Sequence, residues 1–253
     1  GDKKNDPDGT VSSGMPAQKH GTPSKAKNHS KVVDKGWVDP LVLLRTICPT
    51  PLWQKYIMLC NDPRHEYGRV YAVDGVNSVV DGDTLVYLNV SSTTMAHMVY
   101  RSIAKLNAPV WFTCDVGKQF HRSRGIMDDK LFVPERVYNL DDASMYMSKE
   151  DKLHARTSLP THAMVFTGVD AHDAVGPDGE RGVDIVKWRV ENSWGKTGTG
   201  EDKGFITMSQ SWFDEYVYQV VIDTQLCSQR LMQYVNSVEP IRLPSWDAFG
   251  TVA

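Results

Sequence analysis

His162, Asn192 and Trp194 are residue types that together can put a thiol to work. A thiol of ordinary pKa is mostly protonated at neutral pH, and an imidazole beside it can take the proton to leave a thiolate–imidazolium pair. The imidazole must be held in one orientation and one tautomer. A side-chain amide does this by accepting a hydrogen bond from the second ring nitrogen. A bulky aromatic next to that bond keeps water out and strengthens it. Each residue alone has a plainer reading. A histidine opening a strand is more often structural, and Asn192-Ser193-Trp194-Gly195 is most simply a turn, since Asn and Gly both favour turns.

The elements that must position these residues can be read from periodicity. Val186, Trp188, Val190 and Asn192 alternate with Lys187, Arg189 and Glu191, so a strand puts Asn192 on its apolar face. Val110–Cys114, Met164–Gly168, Phe205–Met208 and Val217–Ile222 read as further strands, with the Gly- and Asp-rich stretch Asp170–Arg181 as a loop between two of them. Upstream, Tyr56–Cys60, Val70–Val73 and Thr84–Val90 are strand-like. Thr93–Asn107 reads as a helix, with Met95, Met98, Val99, Ser102, Ile103 and Leu106 on one face, Ser92 or Thr93 capping its start, and Asn107 and Pro109 ending it. The organisation is α+β. Residues 1–36, polar and rich in Gly, Pro and Ser, read as a disordered linker or tail; 37–108 read as a mixed helix and strand region, and 109–253 as an antiparallel sheet or barrel.

Composition narrows the function classes. The 253 residues are 41% hydrophobic and 23% charged, with a formal net charge of −3, so the chain offers no broad positive field to nucleic acid or an anionic membrane. No apolar run approaches the roughly 18 residues of a membrane span. Cys48, Cys60, Cys114 and Cys227 are scattered without a C-x-x-C pair, which points to free thiols and a cytoplasmic location. His154, His162 and nearby aspartates lack metal-ligand spacing, so no metal or cofactor is expected. The glycines between Gly195 and Gly200 join strand to strand, which is a hairpin rather than a nucleotide-binding turn.

Several blocks, taken in order, resemble the papain superfamily of cysteine peptidases. They are Asn107–Phe112 with Phe120 and Gly125-Ile126, then Thr161–Met164, Trp188–Gly195 and Lys203–Ile206. Asn61–Arg64, Cys114–Lys118, Val190–Gly195, Trp212–Tyr218, Leu243–Asp247 and Phe249-Gly250 are similar to the bleomycin hydrolase branch. The resemblance runs from about Trp37 to Ala253 and implies the barrel half of a papain-like fold with part of that branch's helical insertion. It implies a cysteine aminopeptidase in which His162 is general base and acid, Asn192 orients it and Trp194 shields the pair. Ala253 would end an arm in the cleft, where a terminal carboxylate selects peptides with a free amino terminus. A homo-oligomer, a ring of six copies, is implied as well.

The branch also places its nucleophilic cysteine, with a glutamine a few residues earlier, ahead of this half. No such segment is recognised upstream of Trp37, so the nucleophile is expected on a preceding segment or a companion chain, and this polypeptide alone is expected to be inactive. Gln54 and Cys60 have the right separation, but Asn61 follows Cys60 where an aromatic residue belongs, and Cys60 lies in a strand-like run. The alternative is a peptidase-derived module without catalysis, kept for structure or partner binding.

Overall fold

The computed structural model describes residues 39–47, 55–76, 84–140, 146–175, 181–195 and 204–250. The tail at 1–36, Cys48, Gln54 and Ala253 lie outside the described residues. The chain divides into residues 1–47 and 48–253. In the first unit, α1 (Pro40–Ile47) begins where the Asp39 carboxylate accepts the N–H groups of Leu41 and Val42 at 2.8 and 3.2 Å. That cap satisfies donors a helix start leaves without partners.

The second unit is built on one sheet. Its strands are β1 (Tyr56–Cys60), β2 (Val70–Val73), β3 (Tyr87–Asn89), β4 (Val110–Cys114), β5 (Phe120–His121), β6 (Ile126–Met127), β7 (His162–Val175), β8 (Arg181–Glu191), β9 (Phe205–Ser209), β10 (Val217–Asp223) and β11 (Ile241–Leu243). The spatial order is β11-β2-β3-β1-β10-β4-β7-β8-β9-β6-β5. Pairing is antiparallel through the centre, from β1 across β10, β4, β7 and β8 to β9. On the flanks β1 and β3, β2 and β11, and β6 and β9 run parallel, because in each case the chain crosses over before returning. The sheet takes strands from both sides of position 108: β1 lies between β3 and β10.

Helix α2 (Ser92–Leu106) covers the sheet with Met95, Ala96, Val99 and Ser102. Periodicity locates the helix; the cap is Ser91, one position before the residues expected, whose hydroxyl accepts the Thr94 N–H. Asn107 ends the helix in the left-handed region, at φ 49°. α3 (Pro134–Tyr138), α4 (Lys149–His154), α5 (Gln210–Tyr216) and α6 (Gln229–Ser237) are shorter. α5 buries Trp212, Phe213 and Tyr216. Phe213 stacks on Trp188 at 5.3 Å, and Phe166 packs against both, so β7, β8 and α5 share one aromatic core. Truncating Trp188 to alanine there would cost about 3–5 kcal/mol.

The stretch Asp170–Arg181, read as a loop, is mostly strand: β7 continues to Val175 and β8 starts at Arg181. The alternation expected through Val186 also breaks. Asp170 pairs with Lys187 but Ala171 with Ile185, so Val186 is an extra residue in β8. A bulge of this kind reverses the side-chain alternation. Ile185 is accordingly buried, and Val186 is 41% exposed.

Candidate active site

β4 and β7 place the histidine. Cys114 pairs with His162 in the ladder, and the Thr161 N–H donates to the Cys114 carbonyl at 2.9 Å, so His162 begins β7 at a fixed point. The residues just before it are tied by a buried carboxylate. Asp115 accepts from the Ser158 hydroxyl at 2.9 Å and from the Leu159 N–H at 3.4 Å. Ser158 in turn accepts from the Tyr218 hydroxyl at 2.7 Å. Asp115, Ser158 and Tyr218 are all buried, where a satisfied polar network is rigid and a broken one is costly.

β8 and β9 place the asparagine. Asn192 follows Glu191, the last residue of β8, and its N–H donates to the Gly204 carbonyl at 3.0 Å just before β9. Gly204 has φ +100°, a backbone conformation that side-chain-bearing residues rarely adopt. The loop therefore needs glycine there to aim that carbonyl.

Across these strands His162 Nε2 and Asn192 Oδ1 meet at 3.0 Å. With the amide oxygen facing the ring, Nε2 must carry the proton. Nδ1 is then the nitrogen left to accept and return a proton. Asn192 is 5% exposed, and its buried Nδ2 has no hydrogen-bond partner among the described residues. The Trp194 ring lies 5.1 Å from the imidazole, at 35° to it, and Phe120 flanks Trp194 at 6.3 Å. The structure thus brings His162, Asn192 and Trp194 together.

Burial disfavours the thiolate of each described cysteine. Burial pushes the Cys60 thiol well above its ordinary value, with the Asp62 carboxylate adding to the rise, and its Sγ donates to Asn89 Oδ1 at 3.6 Å. Cys60 in β1 also stands three strands from β7, roughly 14 Å at ordinary strand spacing. Burial raises Cys114 likewise, with Asp115 adding to it, and burial raises Cys227. Among the described residues, no three His, Cys, Asp or Glu side chains come together as metal ligands. His154 lies 3.9 Å from Glu150 on α4.

Two features near the site were not foreseen. The first is the Asp115–Ser158–Tyr218 network, whose one signal in the sequence is an aspartate directly after an apolar strand. The second is Arg122, whose guanidinium carbon stands 4.4 Å from the centroid of the Trp194 ring. Nothing in its local sequence announces that contact.

The sequence pattern of the Peptidase C1-like family matches residues 30–250. Bleomycin hydrolase from Homo sapiens is 38% identical over 235 residues, which are 90% of this chain and 48% of that protein. Aminopeptidase C from Listeria monocytogenes is 34% identical over 203 residues, covering 79% of this chain and 42% of that protein. The solved structure of PepW from Lactobacillus rhamnosis HN001 superposes with a TM-score of 0.73 at 33% identity, over 85% of this chain and 46% of that one. The chain therefore spans about half the length of the curated relatives it matches. No helix among the described residues is long and apolar enough to cross a membrane.

Proposed function

The chain belongs to the Peptidase C1-like family, and from that premise we propose that it supplies the histidine and asparagine of a cysteine aminopeptidase of the bleomycin hydrolase type. The observation that carries this reading is the 3.0 Å contact between His162 Nε2 and Asn192 Oδ1 beneath Trp194. The nucleophilic cysteine is assigned to a preceding segment or a companion chain. The raised pKa of the three described thiols and the greater length of the relatives support that assignment. By the same reading this chain is inactive on its own.

The chemistry follows from the geometry. Asn192 holds the Nε2 proton, so His162 Nδ1 takes the thiol proton and the thiolate adds to the substrate carbonyl. Nδ1–H then protonates the departing amine as the C–N bond breaks, leaving an acyl thioester. Water, deprotonated by Nδ1, releases the acid and restores the thiol. Peptides with a free amino terminus are the proposed substrates. A ring of six copies and a cytoplasmic location complete the proposal; the unpaired Cys60, Cys114 and Cys227 agree with a reducing compartment.

The test is the complete assembly, this chain together with the cysteine-bearing part. An active-site-directed epoxide should label a cysteine outside this chain. His162→Ala should lower aminopeptidase turnover by about a hundred-fold or more, some 2.7 kcal/mol of barrier. Labelling of Cys60 would reassign the nucleophile. Full activity in His162→Ala would favour the alternative, a non-catalytic module kept for structure or partner binding.

A further inference from the structure

Arg122 opens a three-residue 3-10 turn, Arg122–Arg124, between β5 and β6. Gly125 closes the turn at φ 64°, and its N–H reaches back to the Arg122 carbonyl at 3.1 Å. The Gly125 carbonyl accepts the Thr207 N–H from β9 at 2.9 Å, so the turn is pinned to the sheet. The backbone at Arg122 is therefore fixed, and its side chain is exposed. Its guanidinium lies over Trp194, whose ring lies against His162. Among the described residues no carboxylate forms an ion pair with it. An aromatic face holds a guanidinium without using the N–H groups on its edge. The result is a positive donor fork over Trp194, engaged by no carboxylate among the described residues, at the rim of the imidazole.

The geometry points to Arg122 as a specificity-determining residue that recognises a substrate carboxylate just beyond the scissile bond, on the leaving-group side. This rests on the peptidase reading above. His162 must reach the departing nitrogen to protonate it, so the departing residue lies along the flank of the imidazole. Asn192 and Trp194 form that flank on this chain, and Arg122 stands over Trp194. A carboxylate one residue past the bond can meet the fork with two parallel charge-assisted hydrogen bonds. The carboxylate can be the side chain of Asp or Glu, or the free end of a dipeptide.

Two substrate pairs given to the assembled enzyme separate these sources. Ala-Glu-amide against Ala-Gln-amide varies only the side-chain charge. Ala-Gly against Ala-Gly-amide varies only the terminal charge. The wild type should favour the charged member of at least one pair by about five-fold in kcat/KM, the size of a partly exposed charge-assisted contact. Arg122→Gln should bring that ratio to near one, Arg122→Lys should keep part of it, and Arg122→Glu should reverse it. A wild-type ratio of one in both pairs overturns the inference. So does a ratio that Arg122→Gln leaves unchanged while both members slow equally, since that marks a residue that only steadies Trp194. A wild type that hydrolyses none of the four peptides overturns the peptidase reading itself, and this inference with it.

Discussion

Asn192 gives its side-chain oxygen to His162 at 3.0 Å, with the amide buried at the end of its strand. The site thus favours one imidazole tautomer. Asn192→Ala should remove the orienting bond and lower kcat of the assembled enzyme by about ten- to a hundred-fold, less than loss of the histidine. Single-turnover kinetics against His162→Ala checks the order of the two effects.

Trp194→Ala should expose that bond to water. The expected result is a fall in kcat of about ten-fold, with unfolding midpoints changed little because Trp194 belongs to the site and not to the aromatic core around Trp188. Urea denaturation beside steady-state kinetics separates the two. An equal collapse of stability and activity would assign Trp194 a packing role.

Asp115→Ala should act through the segment ahead of His162. It leaves the Ser158 hydroxyl and the Leu159 N–H without their acceptor in a buried place, at a cost of about 2 kcal/mol. Both the denaturation midpoint and kcat should drop, and Asp115→Asn should recover part of each.

Gly204→Ala isolates backbone strain. An added Cβ would meet nothing within 4 Å, so crowding is not the issue, but φ +100° is unfavourable for alanine. A loss of about 1–3 kcal/mol is expected. Because the Gly204 carbonyl fixes the Asn192 N–H, activity should fall beyond what stability alone explains.

Lys149 makes stability depend on pH. Its Nζ is buried and donates to Asn61 Oδ1, the Asp214 carbonyl and the Val217 carbonyl at 2.8, 2.9 and 2.6 Å. Burial pulls its pKa from 10.5 down to about 7, against the opposing carboxylates of Glu215, Asp214 and Asp62. Between about pH 7 and 10.5 the unfolded chain binds the proton that the folded chain has released, so this group's contribution to stability rises with pH there. The slope is up to about 1.4 kcal/mol per pH unit. Lys149→Met should lose that slope, so the stability of the wild type relative to the variant rises from pH 7 to pH 9 in urea unfolding. Parallel curves would show that the amine stays charged in the fold.

How much of this was legible depended on how local the cause is. α2 could be read from its apolar spacing because a helix closes its own hydrogen bonds, yet its cap fell one residue early at Ser91, a matter of one hydroxyl. β8 could be read through Trp188 and Val190, but the bulge at Val186 could not, since an extra residue is defined only against the partner strand. The Gly- and Asp-rich composition of 170–181 suggested a loop, but pairing between β7 and β8 carries the strands through most of it. For the site, residue types and order named His162, Asn192 and Trp194. Asp115 and Arg122 stayed hidden because their partners come from elsewhere in the chain.

The placement of β1 between β3 and β10 bears on how the protein is made. Leu59 has its antiparallel partner only in Val220, so the middle of the sheet stays open on the ribosome until nearly the whole segment has emerged. Pairing at such separation is slow. Until then the apolar edge of β1 has no neighbour on that side, and a nascent chain stalled before residue 217 should be the form that chaperones hold.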